Sequence, residues 1–427
     1  MIFYIIYFIL TPLFYLIIHI GKFFSKKIYF NIVNEKQLLS NVKNALKVKN
    51  HTNKKILLFH AASTGEFEQL KPILKNINRK KYFIIQSFTS PSIYNVEFSN
   101  PLFDISCYHP YDLWWKSYVF FKSINPDTYI VTRHDIWPMH LRIAKFLNIK
   151  TIYINANLHK KSIWIQGAMR YFSKAIFNNI DLCIVPSESI KNKLLTIYPN
   201  NKIIIASDSR FSQVANRYIL NKDKHYFDHN INDTDNIIFG SYDLSDLKIM
   251  YNALIEQYPL GDKSLIQNNN RIILVPHEIN QKEINTIVYR LNQNNFTIQL
   301  YSSLKDNKLQ SNIIIVDCIG ILADIYKYAY LAYVGGGFTK GVHSILEPGV
   351  HGCAVCYGPS IELLDELKDI NNRKLGKMIY NAYDLLNVFK KPKSEHNQQG
   401  EKIQKFILNK KQSANKIIAI LEKKINE

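Results

Sequence analysis

The sequence predicts an α/β protein built from two successive Rossmann-like parallel-sheet domains behind an N-terminal apolar segment. Three observations predict it. Short β-branched and aromatic runs alternate with stretches of helical spacing along most of the chain. The alternation lapses over residues 207–236 and then resumes. A chain of 427 residues is also longer than one ordinary core organises.

Residues 1–21 are apolar, with no charged residue beyond His19, and Lys22, Lys26 and Lys27 follow. About 20 such residues span a bilayer, and the basic flank then predicts that the remainder of the chain stays cytoplasmic. No positive charge precedes the run and no small-residue cleavage site follows it, which argues against a cleaved leader. Pro12 and the aromatic content also fit a segment lying in one leaflet.

Residues 22–206 form the first predicted domain. Lys55 to Phe59 is a strand, and His60-Ala-Ala-Ser63-Thr64-Gly65-Glu66 is the turn after it. Phe67, Leu70, Leu74 and Ile77 then sit at helical spacing, with Pro72 expected to kink that helix or mark where its regular part begins. In the first turn the macrodipole favours the carboxylate of Glu66, so it is able to accept a proton from an alcohol. The position equally suits a simple helix-end charge. Tyr82 to Phe88, Thr128 to Val131, Thr151 to Asn155 and Leu182 to Pro186 are further strands, each leading into a helix-like stretch. Ligands of such sheets lie beyond the C-terminal strand ends, which marks Arg133 and Asp135 as candidates.

Residues 207–236 read as a crossing between domains. The second domain, 237–391, has strands at Ile237 to Ser241, at Arg271 to Val275 and at Ile313 to Asp317. It then reaches Ala329 to Val334, which ends in Gly335-Gly336-Gly337. A segment reading as a helix start follows, on which His343 and Glu347 share a face. This pattern suits a nucleotide, with phosphate at the glycines and helix start and ribose hydroxyls on Glu347. A glycine-rich turn with a surface Glu reads the same way. Residues 392–427 read as a polar segment followed by a single basic amphipathic helix.

Lys+Arg 54 against Asp+Glu 34 gives a net charge of +20, which points to anionic partners, although Lys- and Asn-rich composition also follows from an AT-rich genome. Five scattered Cys fit a reducing compartment. Cys353 and Cys356 flank a strand-like Ala-Val pair and read as packing residues.

Two parallel-sheet domains, a nucleotide-like site in the second and a carboxylate in the first suggest a GT-B glycosyltransferase. His60-Ala-Ala-Ser-Thr-Gly-Glu66, Arg133-His-Asp-Ile-Trp-Pro138, Ser207-Asp-Ser-Arg-Phe211, Pro276-His-Glu-Ile279, Asp317-Cys-Ile-Gly320 and Gly335-Gly-Gly-Phe…His343-Ser-Ile-Leu-Glu-Pro348 together resemble, in order, the motifs of bacterial 3-deoxy-D-manno-octulosonic acid (Kdo) transferases. The resemblance implies transfer of Kdo from CMP-Kdo to a lipid A precursor in lipopolysaccharide assembly at the inner membrane. It implies Glu66 as general base, Asp135 and Arg210 as transition-state stabilisers, and no metal. Pro276, His277, Ile319, Gly320, Ile321, Ser344, Ile345, Leu346 and Glu347 fall on CMP-contacting positions. Gly335, Gly336, Gly337 and His343 are further donor-site candidates, and Ser63, Thr64, Gly65 and Arg133 lie on the acceptor side. The basic charge then suits a phosphorylated glycolipid on an anionic membrane. The chain departs from the family pattern at Asp135, where many relatives have Glu, at Ser344, in place of Asn, and at Ser212, in place of Asp. A UDP-sugar transferase or an epimerase of the same fold is the competing enzyme reading. A tethered nucleic-acid binder is the competing non-enzyme reading, and no nucleic-acid-binding motif supports it.

Overall fold

The computed structural model describes residues 2–48, 53–158, 162–167, 169–304, 307–339 and 341–427, so Met1 of the expected anchor lies outside the described residues. The chain divides into one unit of Met1–Gln213 with Gln412–Glu427 and a second of Val214–Lys411.

The first unit holds a seven-stranded parallel sheet. Its strands are β1 (Lys55–Ala61), β2 (Tyr82–Phe88), β3 (Ile105–Tyr108), β4 (Thr128–Thr132), β5 (Lys150–Ile154), β6 (Leu182–Val185) and β7 (Ile203–Ile205), in the order β3-β2-β1-β4-β5-β6-β7. Alternate residues serve opposite faces. Leu58, Ile85, Tyr129, Val131 and Tyr153 are buried on one, and Leu57, Phe59, Ile84, Ile130 and Ile152 on the other. Both faces are covered, which is why these strands read as unbroken apolar runs. Strand order reverses at β1, whose neighbours are β2 and β4. Such a reversal opens a crevice at the C-terminal strand ends.

The second unit repeats the plan with β8 (Asp235–Tyr242), β9 (Asn270–Pro276), β10 (Ile298–Leu300), β11 (Ile313–Ile315), β12 (Ala329–Val334), β13 (Ala354–Tyr357) and β14 (Lys377–Met378), in the order β10-β11-β9-β8-β12-β13-β14. Its reversal point is β8, between β9 and β12. Cys353 and Cys356 are buried, as a packing role requires.

Four expectations need correction. Residues 207–236 are not an irregular crossing, because Arg210–Asn221 is a helix within which the two units divide. Its periodicity is masked by polar residues that have partners, Ser212 with the Ser413 hydroxyl at 2.9 Å and Arg217 with Asp324. The polar stretch after residue 392 opens a helix, Lys393–Leu408, whose buried side carries His396, Gly400, Ile403 and Ile407. Asn409-Lys-Lys-Gln412 interrupts it, so the single terminal helix is two. The second, Ser413–Asn426, buries Ala414, Ile417, Leu421 and Ile425 in the core of the first sheet. Finally, of the two readings of Pro72 the boundary is the one excluded, since the helix runs through it as Thr64–Asn76.

The N-terminal helix, Ile2–Gly21, is long and apolar enough to cross a membrane. One side touches the first unit: the Tyr7 hydroxyl donates to Asp112 at 2.7 Å, Asn179 donates to the Tyr4 oxygen at 2.7 Å, and Phe8 stacks on Trp114. Ile5, Ile9, Leu13, Leu16 and Ile20 are exposed on it.

The terminal helix is integral to the first core. Leu421→Ala is expected to cost about 2–5 kcal/mol through the cavity it leaves, read as a lower urea midpoint for loss of helical signal.

Candidate functional site

Glu66 sits in the first turn after β1, and a reciprocal cap holds it there. The Ser63 hydroxyl accepts from the Glu66 N–H at 3.4 Å, and a Glu66 carboxylate oxygen accepts from the Ala62 N–H at 2.8 Å. The side chain is buried, whereas Ser63, Thr64 and Gly65 in front of it are exposed. Burial chiefly, then the charge of Asp135, raises the Glu66 carboxyl above its ordinary value, against the lowering pull of the Ala62 N–H, His60 and Arg133. The helix-end field expected to favour the carboxylate is therefore outweighed by desolvation.

Asp135 and Arg133 reach the same crevice from the end of β4. Arg133 has φ 59°, the left-handed region that side-chain-bearing residues rarely adopt. Its neighbours pin it: the Arg133 N–H donates to Ile154 O at 3.1 Å, and Arg133 O accepts from the Asn157 N–H at 3.3 Å and from the Tyr153 hydroxyl. Asp135 contacts His60 Nε2.

Arg210 enters from the start of its helix. Its N–H donates to Asp208 at 2.8 Å and its Nε lies 3.5 Å from the other Asp208 oxygen. Buried Gln69, one turn beyond Glu66, joins the two arginines: with its amide oxygen turned toward them it accepts from Arg133 and, at 3.3 Å, from Arg210 Nε. The first unit thus brings together Glu66, Asp135, Arg133 and Arg210. Sequence reasoning passed over Gln69 and the role of His60, because an amide at helical spacing and a histidine ending a strand carry no distinctive pattern.

In the second unit the glycines do a different job from the one expected. A Cβ on Gly335 would lie 2.4 Å from Tyr242 Cα, one on Gly336 2.6 Å from Gly341 O, and one on Gly337 2.6 Å from Gly358. Gly336 has φ +82°. The Gly335 N–H donates to Gly240 O at 2.9 Å and the Gly336 N–H to Asp246 at 2.9 Å. These residues let the protein's own backbone cross itself, and two of the three N–H groups are committed internally rather than offered to phosphate. The helix after them begins only at Leu346 and has five residues, so His343 and Glu347 do not share a helical face. His343 instead stacks on His277 with ring centroids 4.1 Å apart. Ile345 and Leu346 are core residues, Ser344 and Glu347 half-buried, Pro276 half-buried, and Ile319 and Gly320 exposed. Ile321 is half-buried beside them.

A network centred on buried Asp324 supports the Gly320 turn. Arg217 donates to Gly320 O at 2.9 Å and to Asp324 at 2.8 Å, and Asp324 also accepts from Tyr226 and Asn221. Burial works to raise the Asp324 carboxyl, but these donors hold it down at about 2. The Glu347 charge acts on the same Arg217.

The family model for 3-deoxy-D-manno-octulosonic-acid transferase (kdotransferase) matches residues 37–213. A 3-deoxy-D-manno-octulosonic acid transferase of Chlamydia muridarum is 26% identical over 328 residues, covering 75% of this chain and 74% of the relative. The enzyme of the same name from Aquifex aeolicus is 25% identical, covering 78% and 81%. That of Rickettsia prowazekii is 23% identical, covering 78% and 70%. Among solved structures, UDP-GlcNAc 2-epimerase of Neisseria meningitidis bound to UDP-GlcNAc superposes with TM-score 0.61 at 13% identity, over 86% of this chain and 100% of that one. A putative UDP-N-acetylglucosamine 2-epimerase of Listeria monocytogenes gives 0.62 at 12%, over 87% and 97%. At these identities the structures establish the two-Rossmann GT-B fold alone.

An added Cβ distinguishes two glycines that look alike in sequence. Gly335→Ala is expected to lower the melting temperature sharply, since its Cβ meets fixed backbone. Gly65→Ala meets nothing within 4 Å, so its melting temperature should stay level or rise slightly, by up to about 1 kcal/mol of stability. Parallel thermal unfolding curves check both.

Proposed function

We propose that the chain is a glycosyltransferase of the Kdo transferase family, whose model and members it resembles, and that it moves Kdo from CMP-Kdo to a lipid A precursor, with Glu66 as general base. The observation that carries the base assignment is the buried Glu66 carboxyl beside Asp135 at the reversal point of the first sheet, with two guanidinium groups bridged by Gln69.

The acceptor hydroxyl approaches over the exposed Ser63-Thr64-Gly65 turn. Its proton passes to Glu66 as its oxygen bonds the anomeric carbon of Kdo, and the bond from that carbon to the CMP phosphate breaks with its electron pair leaving on the phosphate. Arg210 stabilises that developing charge, with Arg133 beside it, which asks nothing of a metal. Asp135 faces the positive character that builds on the sugar. On the donor side, His277 and His343 form one stacked wall, Pro276, Ile319, Gly320 and Ile321 line the nucleotide, and Ser344 through Glu347 complete the floor. Glu347, the carboxylate among them, takes the ribose hydroxyls.

The N-terminal helix supports membrane attachment. Its Tyr4 and Tyr7 hydrogen bonds hold one side against the first unit, while the exposed Ile, Leu and Phe side chains suit the acyl boundary of the inner membrane's cytoplasmic leaflet. The net charge of +20 favours an anionic surface and a phosphorylated acceptor.

Detergent-solubilised protein, given CMP-Kdo generated in place and a tetra-acylated lipid A precursor, is expected to add at least one Kdo by mass spectrometry. Glu66→Gln should reduce the rate about 10²–10⁴-fold. No transfer by folded protein would move the reading to another nucleotide sugar, and Glu347→Ala with unchanged CMP affinity would remove the ribose assignment.

The pH dependence follows from the raised Glu66 carboxyl. A base works deprotonated, so kcat/KM should fall as pH drops through a value above the ordinary carboxyl range. Asp135→Asn removes one cause of that elevation, so the acid limb should move to lower pH even as the maximal rate falls.

A further inference from the structure

His60, at the end of β1, is fully buried and has no part in the bond-making steps above. Its Nδ1 lies 3.2 Å from Ser87 O and 3.0 Å from the Ser87 hydroxyl. The carbonyl only accepts. The hydroxyl has an acceptor of its own, Phe59 O at 3.2 Å. On its other side lies His109 Nδ1 at 3.1 Å, and His109 Nε2 lies 3.1 Å from the Tyr129 hydroxyl. Burial, with the fields of His60 and His140, lowers His109 well below the ordinary histidine value and keeps it neutral. Burial raises Tyr129 well above the ordinary phenol value, so it keeps its proton and donates it to His109. His109 then carries its own hydrogen on Nδ1 and donates to the Ser87 hydroxyl, whose hydrogen goes to Phe59 O. His60 Nδ1 is therefore a donor. Its Nε2 closely faces an Asp135 oxygen, with the Thr89 hydroxyl farther off at 3.4 Å. Two lone pairs would oppose each other there unless a proton lies between them.

We propose that His60 and Asp135 share one buried proton, and that His60 is thereby a positioning residue that fixes Asp135 and presents Glu66 with a neutral pair instead of a second bare carboxylate. The catalytic consequence rests on the reading of Glu66 as base; the shared proton does not. The groups facing Glu66 are His60 from β1, Asp135 and Arg133 from the loop after β4, and Tyr153 from β5, with the Ala62 N–H on its own turn. Of these only His60 touches Asp135 from the buried side. Without it, two carboxylates face each other in a poorly solvated crevice, the arrangement that raises one of them most.

Two measurements on the full chain in detergent test this. The first is the pH profile of kcat/KM for wild type, His60→Asn, Asp135→Asn and the double variant. In His60→Asn the acid limb should move to higher pH by about one unit, and the double variant should lose that displacement. A uniform fall in kcat/KM with the limb unmoved would mean that His60 is only structural and would overturn the proposal. The second is imidazole ¹⁵N NMR, with the His60 signals identified by their loss in His60→Asn, or in His60→Gln if the first variant does not fold. Both His60 nitrogens should be protonated at neutral pH in wild type and only one in Asp135→Asn. A bare nitrogen in wild type would overturn the shared proton. Should wild type transfer no Kdo, the functional reading fails while the NMR result still decides the proton.

Discussion

The Ser209 hydroxyl joins three separate pieces of chain at one buried point. It donates to Gln69 O at 2.7 Å and accepts from Asn155 Nδ2 at 2.8 Å, while the Ser209 N–H donates to Asn155 Oδ1 at 3.1 Å. Gln69 belongs to the helix that carries Glu66, Asn155 follows β5, and Ser209 directly precedes Arg210. The arginine and the carboxylate are far apart in sequence, yet their relative position is fixed by bonds one residue away from Arg210 and three away from Glu66. A buried hydroxyl with both its donor and acceptor capacity used tolerates little displacement, because each lost bond leaves a polar group without water to replace it. The same logic extends to the β4 loop, where Tyr153 and Asn157 hold Arg133 in a backbone conformation it would not otherwise keep.

The second unit achieves its geometry by removing side chains rather than by bonding them. Gly335, Gly336 and Gly337 occupy places where the backbone passes against Tyr242, Gly341 and Gly358. The site surface nearby is then formed by residues held on those crossings. The His343 N–H donates to Gly335 O at 3.2 Å and the His277 N–H to Tyr242 O at 2.9 Å, which sets the two imidazoles face to face. The glycines thus act indirectly on the nucleotide site proposed here, by fixing what surrounds it.

The sequence made the long central strands legible because β1, β2, β4, β8, β9 and β12 are buried on both faces, so burial alone dictates an apolar run. Edge and near-edge strands such as β3, β10 and β14 have two to four residues and less apolar demand, and they left no pattern to read. The helix Arg210–Asn221 was hidden because its polar residues are spent on specific partners instead of on solvent. Glu66, Asp135 and Arg210 were visible through their motifs. Gln69 was not, because bridging two guanidinium groups is a property of three-dimensional placement that helical spacing does not report. The need for glycine at residues 335–337 was readable, but whether ligand or backbone approaches them is decided by the crossing of β8 and the loop after β13, which lies far off in sequence.

Asp135 stands where many relatives are expected to carry the longer Glu, and the buried side of the crevice bears on that difference. A shorter carboxylate sits nearer its own backbone and depends more on what grips it from below. Here that grip is His60, itself oriented by Ser87 and stacked on His109, which stacks in turn on His140. His140 contacts Asp112, the residue that also accepts from Tyr7 of the N-terminal helix. The stack therefore runs as one continuous polar file from the crevice beneath Glu66 to the apolar helix at the start of the chain. Each ring restricts the next, since tilting one would break both a stacking contact and a hydrogen bond. The orientation of Asp135 is for this reason a property of the whole file and not of one side chain's length.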